Sequence, residues 1–279
     1  MKTASSACNG IPAVASESPL LVRESIGRIA VLTLNRPQAR NTLSEEMLAA
    51  LHRELTGIAA NERMRAVVIA AKGSVFSAGH DLKELTAHRA DADGGRSYVQ
   101  RLMESCSAVM LAMLRLPQPV IAAVEGTATA AGCQLVATCD LAVASTAARF
   151  CTPGVHIGLF CSTPMVALTR NVARKHAMEM LLTGDTIAAE EAYRLGLVNR
   201  VVERGAAREQ ALAFARRIAE KSAAVVKLGK QAFYQQIEMS IRDAYALASE
   251  VMVQNMMVRD AAEGISAFVE KRPPQWTDR

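Results

Sequence analysis

The sequence predicts an α/β fold, in which a core of strands and helices is followed by a helical carboxyl-terminal region. Two short apolar runs, residues 29–34 and 66–71, enclose a stretch with apolar residues at helical spacing, which indicates a strand–helix–strand unit. The same order returns over residues 98–144. After about Asn171 nearly every segment has helical spacing instead. The apolar runs are continuous rather than alternating, as expected for strands that are covered on both faces.

The individual elements follow from local signals along the chain. The first helix should begin at residue 42, because T-L-S-E at residues 42–45 fits a capping box with Thr42 as the N-cap. The middle of the chain predicts alternating helices and strands: a helix over 98–116, a strand over 120–124, a helix from the small residues of 126–132 through 137, and a strand over 141–144. The last part predicts helices alone, over residues 188–195, 206–221, 223–236, 240–258 and 260–271.

The composition indicates a compact protein of enzyme size, with one large domain or two smaller ones. Of its 279 residues 51% are hydrophobic and 21% are charged, which excludes a disordered chain. The net charge of +5 is spread along the chain without a basic stripe and interleaved aromatic residues, so no nucleic-acid partner is expected. No apolar run approaches the ~18 residues of a membrane span, so no membrane partner is expected either.

The cysteines and the first residues bear on the compartment. None of the six cysteines forms a C-x-x-C pair, so no metal site is predicted and reduced, buried thiols are expected. Residues 1–19 lack the basic start and the long apolar stretch of a signal peptide, and they hold no Arg of the kind found in transit peptides. They are expected to form a disordered tail, and the expected compartment is the cytoplasm.

Two segments have the features of ligand-binding loops. Residues 76–84 (F-S-A-G-H-D-L-K-E) and 125–135 (E-G-T-A-T-A-A-G-C-Q-L) each follow a predicted strand, contain small residues and lead into a helix. Small side chains let a ligand approach the backbone, and a helix start presents free N–H groups that favour an anion. Two such donors converging from two loops would form an oxyanion hole. The alternative is a pair of ordinary tight turns, and no dinucleotide, phosphate-loop or G-x-S-x-G motif is present.

Together, and in this order, the two loops resemble those of the crotonase superfamily, the enoyl-CoA hydratases and isomerases. Other segments are similar to patterns of the same family: N-R-P-x-x-x-N at residues 35–41, a strand, a small-residue triplet and C-D within 121–141, A-x-E-x-x-L-T-G at 177–184, A-x-x-x-G-L-V-x-x-V at 192–201, and E-G-x-x-A-F-x-x-K at 263–271. The resemblance covers roughly residues 20–275.

This resemblance implies a fold, an assembly and a ligand. The fold is a crotonase-type ββα spiral core over residues 20–200, followed by a helical trimerisation region over residues 201–279. The assembly is a homotrimer, or a hexamer formed by two trimers. The ligand is an acyl-CoA thioester, so coenzyme A enters as part of the substrate and no tightly bound cofactor is expected. The phosphates of coenzyme A suit the positive net charge of the chain.

The resemblance also implies the residues of the site. The thioester oxygen would accept hydrogen bonds from the backbone N–H groups of His80 and Ala131, the two catalytic candidates. Other positions are candidates for contacts with the CoA phosphates or adenine, with a solvated surface charge as the alternative for each: Arg40, Lys83 and Lys271. The remaining substrate-binding candidates lie in the loops or border the acyl pocket: Ala78, Asp81, Leu82, Gln134 and His156.

Three positions at which the family carries acids hold other residues here. Family hydratases use two glutamates, and Gln134 and Gly154 stand at those positions. An aspartate of some dienoyl isomerases falls on Ser162. An amide can orient a water but cannot take its proton. Because each proton-transfer group contributes ~10²–10⁴-fold to a rate, hydration or isomerisation by the usual route is not expected.

Without these acids the two loops could still stabilise an enolate. Decarboxylation of a malonyl-type thioester is the most concrete reaction that requires little beyond this stabilisation. Family decarboxylases also carry the motif S-A-G-H-D, which stands at residues 77–81 here. One alternative is a weak or atypical enoyl-CoA hydratase, in which His156 or Cys161 supplies a proton. For His156 the competing interpretation is a hydrogen bond within its own loop. The other alternative is a non-catalytic protein that binds CoA esters.

Overall fold

The structure is a computed structural model and describes residues 19–278. Its strands are β1 (Leu21–Ile26), β2 (Ile29–Leu34), β3 (Ala66–Ala71), β4 (Val75–Ser77), β5 (Val120–Val124), β6 (Thr127–Thr129), β7 (Leu141–Ser145), β8 (Arg149–Cys151), β9 (Ile187–Ala188) and β10 (Arg200–Val202). Its helices are α1 (Glu45–Ala59), α2 (Leu82–Ala87), α3 (Arg96–Arg115), α4 (Ala131–Thr138), α5 (Ser162–Leu168), α6 (Arg174–Thr183), α7 (Ala189–Arg194), α8 (Ala207–Ala219), α9 (Ala223–Gln236), α10 (Ile241–Met257) and α11 (Arg259–Glu270).

The strands form two sheets. The larger has the order β1-β2-β3-β5-β7-β10, and the smaller has the order β4-β6-β8-β9. All neighbours are parallel except the antiparallel pairs β1–β2 and β8–β9. The pairs β3/β4, β5/β6 and β7/β8 each place their first strand in the larger sheet and their second in the smaller, before the chain returns through helix. This repeated ββα order confirms the predicted α/β fold.

The larger sheet is covered on both faces. On one face α1, α3 and α4 pack their apolar side chains against the sheet in the main core. On the other face α8 lays Ala207, Ala211 and Ala215 against Val31 and Val68. Alanine has a small side chain, so the helix comes close to the strands. The continuous apolar runs of the sequence therefore have the predicted cause, which is burial on both faces.

Several element boundaries differ from the prediction. The cap of α1 is Ser44, whose Oγ accepts a hydrogen bond from Met47 N at 3.2 Å, so Thr42 is not the N-cap. The reason is that Leu43 is still extended and its N–H donates to Gly79 O at 2.8 Å. Strands β4, β6 and β8 were not predicted, because three-residue strands carry no periodicity. In contrast, the helix predicted over 223–236 coincides with α9.

The predicted tail of residues 1–19, which contains Cys8, lies outside the described residues except for its last position. None of the helices in residues 19–278 has the length and apolar character needed to cross a membrane.

The carboxyl-terminal strap, residues 272–278, folds back onto the helices before it. Arg272 pairs with Glu263, and Gln275 N donates to Glu263 Oε1 at 2.8 Å. Near its end, Trp276 Nε1 donates to Glu220 O at 2.8 Å, and Asp278 pairs with Arg65 of the core. Arg272 and the Gln275 N–H hold the pKa of Glu263 at about 2, well below its ordinary value.

The strap is expected to detach in acid. Since the pKa of Glu263 is lowered by folding, its carboxylate stabilises the strap at pH values above 4.5, and this contribution is lost as the pH falls toward about 2. Trp276 is the single tryptophan of the chain. Its fluorescence should therefore shift to longer wavelength across that interval. Glu263→Gln should show part of the shift already at neutral pH, whereas the exposed Glu46→Gln should titrate as the unmodified protein does. An acid-insensitive Trp276 emission would contradict this account.

Candidate functional site

The two predicted loops lie side by side. We name residues 77–81 the first loop and residues 126–131 the second loop. Strand β4, which leads into the first loop, pairs in parallel with β6, which lies within the second loop. A Cβ added at Gly79 would lie 3.0 Å from Ala130 Cβ and 3.1 Å from Ala131 N, so the backbones of the two loops touch at this point. With φ of +83°, Gly79 also has the left-handed backbone that glycine adopts without strain.

Gly132 brings the start of α4 equally close to β4. A Cβ at this position would lie 2.3 Å from Ser77 O and 2.8 Å from Ser77 Cβ, which is far inside van der Waals contact. Ser77 Oγ in turn accepts a hydrogen bond from Gly79 N at 3.3 Å. The small residues of the two loops therefore allow the loops to contact each other, in addition to any ligand.

Two backbone donors near this contact have no backbone acceptor in the described part of the chain. Ala131 is the first residue of α4, so its N–H has no acceptor within the helix, and the residue is 1% exposed. His80 follows Gly79 directly. Within residues 19–278 neither the His80 N–H nor the Ala131 N–H donates to another backbone group. Two such N–H groups are what the predicted oxyanion hole would require.

Ala130 holds a strained backbone between the two donors. Its φ of 51° and ψ of −120° lie in a region that glycine adopts and alanine avoids. Such a conformation costs ~1–3 kcal/mol and persists only where the surroundings enforce it. Here Ala130 N donates to Cys151 O at 3.0 Å, which ties the second loop to β8.

The ring of His80 is mostly buried, and its pKa lies below the ordinary value of histidine. Burial lowers its pKa, and a hydrogen bond to Leu43 opposes that effect. Nδ1 lies 3.3 Å from Leu43 O, so this nitrogen carries the proton and donates it. Nε2 is buried and has no hydrogen-bond partner among the described residues. The ring therefore presents an unused acceptor beside the first loop.

The polar residues after His80 stabilise the start of α2. Asp81 is its N-cap, since Oδ1 accepts from Lys83 N at 3.0 Å. Asp81 Oδ2 accepts the Thr42 hydroxyl hydrogen at 3.1 Å. The side chains of Leu82 and Lys83 are exposed.

The predicted phosphate contacts fall in two places. Arg40 is joined to the first loop, because its carbonyl oxygen accepts from Ala78 N at 3.0 Å, and its side chain is exposed. Lys271 lies at the end of α11 in the helical carboxyl-terminal region. No hydrogen bond within residues 19–278 joins Lys271 to either loop.

The two positions at which family hydratases carry glutamate, 134 and 154, differ in the space available for a side chain. Gln134 is buried on α4, and its Oε1 lies 3.9 Å from Cys106 Sγ. Gly154 has no room for any side chain, since a Cβ there would lie 2.9 Å from Leu159 O and 3.0 Å from Cys161 Sγ. The loop after Gly154 folds back over it, with Leu159 N donating to Gly154 O at 2.9 Å.

The two remaining polar candidates are exposed. Ser162 begins α5, and its hydroxyl donates to Phe160 O at 3.3 Å. His156 Nε2 lies 2.8 Å from Thr183 O, so this ring is engaged in a hydrogen bond between its own loop and the end of α6.

Three buried thiols of the site region have raised pKa values. Burial raises the pKa of Cys106 to about 12 and raises those of Cys133 and Cys161 as well. Ionised thiolate is the reactive form of cysteine. In the described part of the chain no group of three or more histidine, cysteine, aspartate or glutamate side chains is placed to hold a metal ion.

Two polar anchors of the loops were not predicted. Asn41 is fully buried, donates to Lys72 O and Val75 O, and accepts from Arg36 N. Asp140 lies just beyond α4 and accepts three hydrogen bonds. Asn41 is the last residue of the N-R-P-x-x-x-N segment, and Asp140 is the last residue of the C-D segment. Their positions in these two family motifs could have identified them from the sequence.

A fold of repeated ββα units with two abutting loops defines a crotonase-type protein. The family model described as enoyl-CoA hydratase/isomerase matches residues 24–279, and the chain belongs to this family. It is 47% identical over 260 residues to "Enoyl-CoA hydratase domain-containing protein 3, mitochondrial" of Xenopus laevis, covering 93% of this chain and 87% of that relative. The human protein of the same name is 48% identical over 246 residues, covering 88% of this chain and 80% of the human one.

Solved structures agree with this assignment. A structure described as enoyl-CoA hydratase from Mycobacterium smegmatis has 54% identity and a TM-score of 0.88, and the match covers 93% of this chain and 99% of that one. The human enoyl-CoA hydratase domain-containing protein 3 has 47% identity and a TM-score of 0.88, over 92% of this chain and 100% of that one.

The predicted cytoplasmic location is contradicted by these relatives. The proteins of frog, rat, mouse and human carry the word mitochondrial in their names. The prediction was drawn from the composition of residues 1–19, and that composition is a weaker indicator than the names of relatives that match most of the chain.

Proposed function

We propose that this protein binds an acyl-CoA thioester and stabilises its enolate between the backbone N–H groups of His80 and Ala131. The observation that carries the proposal is the contact of the two loops at Gly79 and Ala131, together with two N–H groups that donate to no other backbone group within residues 19–278. Donors that are already fixed in place need no reorganisation as negative charge develops on the thioester oxygen. Arg40, Lys83 and Lys271 are the proposed contacts of the CoA phosphates and adenine. Ala78, Asp81, Leu82, Gln134 and His156 complete the proposed site.

Decarboxylation is the reaction that this site supports best. The bond between the α-carbon and the carboxylate of a malonyl-type thioester breaks, and its electron pair passes into the thioester as an enolate. Carbon dioxide leaves, and the α-carbon then takes a proton from solvent or from a nearby acid. No carboxylate of the protein is needed. The positions of the family glutamates, Gln134 and Gly154, do not supply one.

The proposed assembly is a trimer, or a hexamer of two trimers, formed through residues 201–279. Large apolar side chains are exposed on the helices of this region, among them Ile241 at 81%, Met257 at 76% and Phe268 at 85%. Exposed apolar surface of this extent is typical of a subunit interface. Residues 20–200 form the catalytic part in this proposal.

A substrate panel tests the proposed function. Purified protein should bind CoA thioesters, release carbon dioxide from methylmalonyl-CoA, and hydrate crotonyl-CoA at a rate lower by ~10² or more than a family hydratase. Dienoyl-CoA should not be isomerised. Binding without any turnover would instead favour a non-catalytic CoA-ester-binding protein. Rapid hydration of crotonyl-CoA that survives His156→Ala would refute the account of the missing acids.

Restoring the acid at position 154 is expected to fail. Gly154→Glu forces a side chain against Leu159 O and Cys161 Sγ, which should lower the free energy of unfolding by about 2 kcal/mol, with no gain in crotonyl-CoA hydration. Gln134→Glu is the matched control, because it introduces the acid at the other family position without a change in side-chain volume, so no steric loss of stability is expected. Chemical denaturation of both variants measures the free energy of unfolding, and the hydration assay measures their activity on crotonyl-CoA. A stable Gly154→Glu protein with faster hydration would show that position 154 can accommodate a glutamate side chain.

A further inference from the structure

A partly buried polar cluster lies outside the proposed site, centred on Asp140. Lys230 Nζ donates to Asp140 Oδ2 at 2.7 Å, to Met113 O at 2.9 Å and to Gln118 O at 3.1 Å, so all three of its donors are used. Tyr234 donates its hydroxyl hydrogen to Asp140 Oδ1 at 2.8 Å. Lys230 is 8% exposed. We name Asp140, Lys230 and Tyr234 the Asp140 cluster.

The Asp140 cluster holds both chain segments that flank the second loop. Asp140 lies two residues beyond the end of α4, whose first residue is Ala131. Its carboxylate also accepts from Val120 N at 2.6 Å, and Val120 is the first residue of β5, the strand that leads toward the second loop. One carboxylate therefore joins the start of the incoming strand to the end of the outgoing helix.

The partners of this carboxylate come from the helical carboxyl-terminal region. Lys230 and Tyr234 stand four residues apart on α9, so they project from the same face of that helix. Burial lowers the pKa of Lys230, and the charge of Asp140 opposes this effect. A buried ion pair is weak evidence for net stability, because an apolar pair of similar size can stabilise as much. Its fixed geometry is the property that an apolar pair would not reproduce.

We propose that Lys230 and Tyr234 are positioning residues, which hold α4 in the register that aims the Ala131 N–H at the ligand. Helix α4 is short, with eight residues over about 12 Å. A shift at its Asp140 end is therefore transmitted to Ala131. The proposal rests on the proposed function, because it assumes that the Ala131 N–H binds the thioester oxygen. It also joins the site to the region through which the subunits are proposed to assemble.

The test uses Tyr234→Phe and Lys230→Met, with Lys227→Met as the control, since Lys227 is exposed and lies one turn earlier on α9. Amide hydrogen exchange is measured for the first and second loops separately, and acetyl-CoA binding is measured by calorimetry. Tyr234→Phe should speed exchange in the second loop, residues 126–131, about tenfold, which is the effect expected from loss of a hydrogen bond to a charged group. Exchange in the first loop, residues 77–81, should stay unchanged. The affinity for acetyl-CoA should fall, and kcat for methylmalonyl-CoA should fall more than KM rises.

The two proposals fail in different ways. Unmodified protein that binds no acetyl-CoA would overturn the proposed function, and the exchange measurement would still test the positioning role. Equal acceleration of exchange in both loops, or none in either, would overturn the positioning role and leave a general docking role for α9. If Lys230→Met does not fold, Tyr234→Phe decides, because it removes only one hydroxyl group.

Discussion

Replacing Gly132 by alanine should lower the free energy of unfolding by about 3 kcal/mol and abolish acetyl-CoA binding. The added Cβ would lie 2.3 Å from Ser77 O, a backbone atom that cannot rotate away. The start of α4 must therefore move off β4, and the two loops separate. Chaotrope unfolding measures the loss of stability, and calorimetry measures the loss of binding.

Gly229→Ala is the matched control for this variant. Gly229 also lies within a helix, and a Cβ there would meet nothing within 4 Å. Alanine should therefore stabilise the fold by ~0.5–1 kcal/mol through helix propensity and leave binding unchanged. If Gly132→Ala matched the unmodified protein in stability and in affinity, the two loops would not be in contact and the proposed site would be lost with them.

Asn41→Ala is expected to lower the free energy of unfolding by about 4 kcal/mol, the largest effect of any single substitution considered. It removes the three hydrogen bonds of a buried side chain, to Arg36 N, Lys72 O and Val75 O, each worth about 1 kcal/mol. The backbone of Asn41 is left-handed, with φ of 50°, and alanine adds ~1 kcal/mol of strain there. Thermal and chaotrope unfolding give the value.

Two further variants separate these contributions. Asn41→Asp keeps an acceptor for Arg36 N and loses both donors, so its effect should be intermediate. Asn35→Ala, six residues earlier, removes a single bond to Pro19 O and should cost no more than about 1 kcal/mol. An Asn41→Ala variant as stable as Asn35→Ala would show that the three contacts of Asn41 contribute little.

The long elements were predictable because their signal is local. The apolar runs of β2, β3 and β5 and the periodic stripe of α9 depend on residues that are adjacent in sequence. The helix start at Ser44 was mispredicted at Thr42, since the bond from Leu43 N to Gly79 O keeps the chain extended, and that partner lies far along the sequence. The three-residue strands of the smaller sheet were missed for the same reason, because pairing between distant segments defines them.

The sequence by itself determined the α/β class, the two glycine-containing loops, the family resemblance and the absence of acids at Gln134, Gly154 and Ser162. These features depend only on residue type and order, and not on contacts between residues that are distant in sequence. Only the tertiary structure decided that the loops touch through Gly79 and Gly132, and that Gly154 has no space for an acid because Leu159 and Cys161 fold back over it. Such contacts join residues that are far apart along the chain, and the packing of the two sheets and their helices determines which of these residues meet.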